Sequence, residues 1–276
     1  MSGDTDSNVK PASGERGVLA EMTRDDVEAL DPEVVLFGIG STEPHGPHLP
    51  YGTDFYQTEG VCRRAATWAT DRGARALLLP TLPIGVNTNF KAYPFACRMR
   101  VRTLMNVVLD VIEAIEEEGV RKIVVVNGHG GNTAVLQATL REHADRHGPG
   151  EGAFVCMTST TGAIPDAVAD RIEHPSAHGG ESETSRMLYL RPDLVRDSEL
   201  AEFEIRDPVL EQLATDDVYF VPPWHAYMPE SAGGETREST AEKGQAFVEG
   251  AADFVADLVV ALDETETSEL FPYAAD

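Results

Sequence analysis

The chain has 276 residues, 42% hydrophobic and 7% aromatic, which supplies apolar side chain for one large α/β core. It carries 47 Asp and Glu against 22 Lys and Arg, a formal net charge of -25. That balance argues against a nucleic-acid partner, which requires a basic face, while the ordinary apolar content excludes a disordered acidic chain.

Residues 1–17 are rich in Ser, Gly and Asp and read as a disordered tail without an apolar signal core. Thr23 is a helix N-cap candidate, with Asp25 and Asp26 in the first turn. Val34 to Ile39 is a continuous apolar run, a buried strand. The Gly- and Pro-rich stretch Gly40 to Asp54 must then be a loop leaving that strand's end. A helix is expected over 54–71 and a strand over 75–79. The loop from Ile84 to Phe90 reads either as a pocket wall or as a surface loop. Residues 103–118 carry Leu104, Val107, Val108, Val111, Ile112 and Ile115 at helical spacing, and Gly119 ends the helix. Strands follow over 122–126 and 153–157, with a helix over 133–143 between them. A short helix containing Met187 and Leu188, an irregular acidic stretch over 197–240 and a last helix over 242–262 complete the order. Strand and helix alternate, so the expected fold is a three-layer α/β/α sandwich on a mostly parallel sheet. The expected domain spans 18–263, followed by an acidic tail over 264–276.

Three polar clusters fall on this frame. The first is Glu43, His45, His48 and Asp54 in the loop after the first strand. Carboxylate with imidazole suits Zn, Mn or Fe, and Glu43 and His45, two apart in extended backbone, share a side. The second is Asn127-Gly-His129-Gly-Gly-Asn132 after the third run, at the same sheet edge; it lacks the spacing of a dinucleotide loop. The third is His178-Gly-Gly-Glu181-Ser-Glu183-Thr-Ser at a helix start, where Glu183 reads equally well as a capping residue or a functional one. The nucleophile-elbow and H-E-x-x-H motifs are missing, and Cys62, Cys97 and Cys156 are scattered, so neither a Ser or Cys hydrolase nor a disulfide framework is supported.

These three motifs, in this order, resemble the creatininase (creatinine amidohydrolase) family, over about residues 25–262. The resemblance implies a metal-dependent hydrolase with two divalent ions (Zn, Mn or Fe), acting on a C–N bond of a small cyclic amide or a formamide, and a homo-oligomer, often a hexamer built from trimers. It implies metal ligands at Glu43, His45, Asp54 and His129, with Asp54 bridging, and a substrate-side histidine at His178. Two positions depart from creatininase itself: Gly131 stands where a carboxylate is found, and Ala177 where a Glu precedes the histidine. Glu183 stands where creatininase also has Glu. Glu181 is therefore expected to complete the second ion in place of the group lost at Gly131. His178 or a carboxylate would carry the proton to the leaving nitrogen. The rival expectation is a non-catalytic metal- or ligand-binding protein that keeps the fold. The expected partner is a small molecule, with no membrane or nucleic acid, in the cytoplasm.

The acidic surface, with lysine only at Lys10, Lys91, Lys122 and Lys243, points to a halophilic chain whose self-repulsion needs screening. Its melting temperature should rise between low salt and molar KCl; a flat profile in a thermal-melt series would refute this.

Overall fold

The computed structural model describes residues 16–148, 151–161, 164, 166–173, 178–214 and 217–270. The apolar runs become the strands of one sheet: β1 (Val34–Ile39), β2 (Ala76–Leu78), β3 (Lys122–Asn127) and β4 (Phe154–Ser159). All pair in parallel, in the order β2-β1-β3-β4. The helices are α1 (Arg24–Leu30), α2 (Thr53–Asp71), α3 (Val101–Glu117), α4 (Thr133–Arg146), α5 (Asp166–Ala169), α6 (Glu181–Leu190), α7 (Trp224–Tyr227) and α8 (Ala241–Glu264). Among the described residues of 197–240 only short pieces form, including the antiparallel pair β5 (Glu202–Phe203) and β6 (Gly234–Glu235).

β1, β2 and the middle of β3 are apolar without interruption because helices cover both faces of the sheet there. Alternate residues sort to opposite sides. Val34, Leu36, Val124 and Val126 pack with Val61 and Ala65 of α2 and with Val248 and Val255 of α8. Val35, Phe37, Ile123 and Val125 pack with Leu104, Val108 and Ile112 of α3 and with Leu136 of α4. This is the expected three-layer sandwich. Lys122 opens β3 fully buried, its charge met by Glu33 at 2.8 Å. Thr23 caps α1 in a reciprocal box with Asp26, as its place before two aspartates predicts. Part of the predicted tail is engaged: the Gly17 carbonyl accepts from the Leu78 amide at 2.7 Å, and Val18 bridges Leu78. Residues 1–15 and 271–276 lie outside the described residues.

From β1 the chain crosses to β2 on one side and later returns to β1's other side as β3. The C-terminal ends of β1 and β3 therefore flank a crevice where the crossovers diverge, the place where open α/β sheets hold their ligands. Glu43 and His129 leave the sheet at that point. α6 reaches the same edge by packing on α8. Gly244 makes the approach possible, since a Cβ there would lie 1.9 Å from the Ser185 carbonyl oxygen.

Gly244→Ala must push α6 away from α8. Overpacking of this kind costs about 1–3 kcal/mol. A lowered denaturant midpoint, with unchanged circular-dichroism helix content, is the expected outcome; a midpoint equal to the parent's would show that the helices yield without cost.

Candidate metal centre

The loop after β1 is buried rather than solvated. Glu43, His45 and His48 are inaccessible to solvent, and the Glu43 amide is held by the Tyr51 carbonyl at 3.0 Å. Asp54 follows in the first turn of α2, also buried. On the β3 side, a Cβ on Gly128 would lie 1.7 Å from Thr58 Oγ1, so only a glycine lets this backbone rest on α2 and deliver His129 to Asp54. Glu43, His45, Asp54 and His129 are thus brought together from three separate segments.

Backbone carbonyls fix the tautomers of the histidines. His45 Nδ1 lies 2.9 Å from the Glu43 carbonyl, His129 Nε2 3.1 Å from that of Val86 and His178 Nε2 2.7 Å from that of Pro44. A carbonyl oxygen only accepts, so each of these nitrogens carries the proton. The opposite nitrogen of His45 and of His129 faces the carboxylates, where it carries a proton or, once that proton is lost, offers a lone pair to an ion. Metal-ligating histidines are anchored in this way through the other nitrogen. A side chain on Gly131 would displace the His129 anchor, because its Cβ would stand 2.2 Å from the Val86 oxygen and 2.5 Å from His129 Nε2. His48 does not join: its Nε2 bonds the Gly179 carbonyl and Thr184, and its ring stacks on Phe203.

Two ligand groups share Asp54. Asp54 Oδ2 lies 3.0 Å from His129 Nδ1, and Glu43 Oε1 lies 3.3 Å from the same nitrogen. Asp54 Oδ1 lies 3.2 Å from His45 Nε2, which Glu183 Oε2 approaches to 3.5 Å. A tetrahedral ion with bonds of about 2.0–2.1 Å sets its ligand atoms roughly 3.3 Å apart, so both groups have the dimensions of an ion's coordination shell. Glu43 Oε1 and Asp54 Oδ2 are buried and make no hydrogen bond, as expected of oxygens directed at a cation. The donor set of the described residues therefore fits two divalent ions bridged by one carboxylate.

The electrostatics agree. Burial pushes Glu43 up to about 7, with His129 opposing and Asp54 adding to the shift. Burial also disfavours an Asp54 charge, but His45 and His129 hold its carboxyl well below the usual range. Against burial, Asp54 and the neighbouring carboxylates raise His45 to about 10, while Glu43 and Asp54 raise His129 to about 9. The carboxylates demand positive charge, which protons on the imidazoles supply until an ion displaces them. His178 is the exception. Burial, and then the positive charge of His45, hold it well below an ordinary imidazole, so it is neutral.

Glu181 is not where the sequence places it. It is fully buried, but its Oε1 pairs with Lys243 Nζ at 2.8 Å and accepts from the Glu173 amide at 3.3 Å, on the α8 side of α6. Helical residues two apart differ by about 200° around the axis. Glu181 and Glu183 therefore face opposite ways, and Glu183 faces His45. The Gly179 amide steadies Glu183 Oε2 at 2.7 Å, and Arg186, one turn on and itself buried, stands 3.8 Å from its Oε1. The expectation for Glu181 is corrected: Lys243 and the Glu173 amide engage its carboxylate, and Glu183 is the α6 carboxylate that stands beside His45. Ala177 lies outside the described residues.

A cavity of about 700 Å³ opens over the centre, with Glu43, Asp54, His129, His178 and Glu183 in its wall. Val86, Thr88, Asn89 and Phe90 form another part, so the loop after β2 is a pocket wall. His178 packs on His45 with ring centres 4.0 Å apart and meets Phe90 and the edge of Trp224. Trp224 also lines the cavity, and its buried indole N–H has no partner. Sequence reasoning left Trp224 without a role because a Trp after two prolines carries no periodic signal. Asn87 is a support: its amide bonds the Thr42 and Cys97 carbonyls and Ser41. His225 is exposed.

A three-layer α/β sandwich with buried carboxylates and imidazoles at the crevice of its sheet defines a protein built around divalent metal. The chain belongs to the creatininase (creatinine amidohydrolase) family, whose model matches residues 20–259. It is 26% identical to the creatinine amidohydrolase of Pseudomonas putida over 242 residues, 82% of this chain and 88% of that one. It is 31% identical to the mycofactocin precursor peptide peptidase of Mycolicibacterium smegmatis over 171 residues, 60% of this chain and 62% of that protein, so it spans under two thirds of that peptidase. A solved structure of a candidate creatinine amidohydrolase from Bacteroides fragilis is similar with a TM-score of 0.80 and 25% identity, covering 92% of this chain and 98% of that one. A manganese creatininase structure is similar with a TM-score of 0.74 and 25% identity, covering 90% and 99%.

Glu183→Ala should lower the metal content by about one ion per chain, whereas Glu181→Gln should keep the full complement and weaken the α6–α8 contact instead. Elemental analysis of the two variants after identical loading decides the assignment; loss of metal in Glu181→Gln alone would reverse it.

Proposed function

We propose that this chain is a metal-dependent amidohydrolase that cleaves a C–N amide bond in a small cyclic amide or a formamide. The observation that carries the reading is Asp54, whose two oxygens face two separate groups of ligands in the wall of one pocket. Glu43, Asp54 and His129 would hold one ion, and His45, Asp54 and Glu183 the other, with Zn, Mn or Fe suited to this mixture of carboxylate and imidazole. Bound there, two divalent ions supply carbonyl polarisation and a water of lowered pKa.

The chain's own residues do the rest. His178 donates its Nε2 proton to Pro44, which leaves Nδ1 as a neutral base 3.7 Å from Glu43 Oε1. That nitrogen is the atom we assign to take a proton from the attacking water and return it to the leaving nitrogen. Phe90 and Trp224 flank it with aromatic surface, which suits a flat substrate and excludes bulk water. The unpartnered Trp224 N–H supports a substrate that offers an acceptor. The cavity is within the usual range for small-molecule sites. The family's small-molecule member favours a cyclic amide, while the peptidase relative makes a peptide amide the competing substrate class.

The test is a substrate panel in high salt with metal-loaded protein: creatinine-like lactams, formamides and short peptide amides. Turnover of a lactam or formamide, reduced at least 100-fold in His178→Ala with metal content intact, is the expected result. Cleavage of the peptide amides alone would move the substrate class. No turnover of any of them with both ions bound would favour a binding protein that keeps the fold.

A further inference from the structure

A second group of ligand-type side chains stands at the opposite edge of the sheet. Glu116 lies in the last turn of α3, just before β3 begins; His143 lies in the last turn of α4 and His147 is its C-cap, just before β4 begins. The centre described above lies past the other ends of the same strands. Six strand residues at about 3.3 Å each separate the two edges by roughly 20 Å, so no side chain is shared.

We propose that Glu116, His143 and His147 form a separate binding site for a divalent transition ion, with zinc as the reference ligand. The two histidines are four apart, one helical turn, and their ring centres are 4.7 Å apart. His143 Nε2 lies 3.2 Å from Glu116 Oε1, and His147 Nε2 3.7 Å from Glu116 Oε2. These separations bracket the roughly 3.3 Å between ligand atoms on a tetrahedral ion. One ligand atom from each of the three residues lies within 4.8 Å of the other two. Two imidazoles with one carboxylate is a recurrent three-ligand set for zinc, leaving the fourth position to water.

The surroundings support a cation. α3 and α4 both point their C-terminal, electronegative ends at the site. The Ala153 amide orients Glu116 Oε1, and Gly152 packs so closely on the His147 ring that a Cβ there would lie 2.7 Å away, so the ligands are held before an ion arrives. The nearby guanidiniums are engaged elsewhere: Arg146 with Glu113 and Glu142, Arg121 with the backbone carbonyls of Glu116 and Val120. The His143 side chain is only 5% exposed and that of His147 28%, so the site is walled on one side and open to an entering ion on the other. An ion there would clip α3, α4 and the start of β4 together on the face away from α6 and α8, a stabilising role rather than a catalytic one.

The test compares the full chain with His147→Ala, a change at the most exposed of the three ligands. After loading with zinc and removal of excess, the parent should retain about one more zinc per chain than the variant. Added zinc should raise the parent's melting temperature further than the variant's. Zinc-soaked crystals of the parent should show an anomalous peak between Glu116, His143 and His147. Equal zinc content in parent and variant, or no peak there at saturating zinc, overturns the proposal. Catalytic activity does not enter either readout, so this site can fail while the one around Asp54 stands.

Discussion

The carboxylate of Asp54 is the constraint from which the rest of the centre follows. It is buried at the start of α2 with one oxygen towards His129 and the other towards His45. Three carboxylates in one water-poor space are strongly unfavourable unless positive charge joins them. The fold therefore has to bring positive charge to that point, and the imidazoles of His45 and His129 stand there. The parallel order of β1 and β3 brings Glu43 and His129 there, and the close contact of α6 with α8 brings Glu183. Carbonyl oxygens of the loops complete the arrangement by deciding which nitrogen of each ring faces inward. The loops are thus as much part of the electrostatic design as the charged groups they carry.

Much of this was legible in the sequence, because the signals were local. Uninterrupted runs such as Val34 to Ile39 and Ile123 to Val126 could only be strands covered on both faces. The spacing of Leu104, Val108, Ile112 and Ile115 could only be the buried side of a helix. The clusters at Glu43 and His129 were placed at one sheet edge by strand direction alone. Glu181 shows where local reasoning stops. Its proximity to His178 in the chain said nothing about which way the first turn of α6 faces, and Lys243, which captures it, is 62 residues away. Glu183 had an equally good local explanation as a capping residue. Trp224 reaches the pocket through an irregular stretch, where neither periodicity nor turn chemistry reports direction. The ordered backbone at Gly17 belongs to the same class: a composition suited to a tail was overruled by an edge strand offering a hydrogen-bond partner.

The acidic character of the chain divides into two unlike populations. Many Asp and Glu residues are exposed, on helices and loops alike, and several pair with an arginine, as Asp253 and Asp257 do with Arg72. Solvent screening leaves such pairs little individual weight, and their collective effect is repulsion. The buried carboxylates are few, oriented by amides and histidines, and hardly screened. Salt acts on the first population and protons or metal ions on the second.

The two ligand groups around Asp54 also differ in what carries them. Glu43 and His129 ride on loops continuous with the central strands, so their separation is as rigid as the sheet. Glu183 rides on α6, a ten-residue helix whose position is set by α8 through the glycine contact at Gly244 and the Glu181–Lys243 pair. The centre is therefore held in two ways: Glu43 and His129 by the loops of the sheet, and Glu183 by the packing of one helix on another.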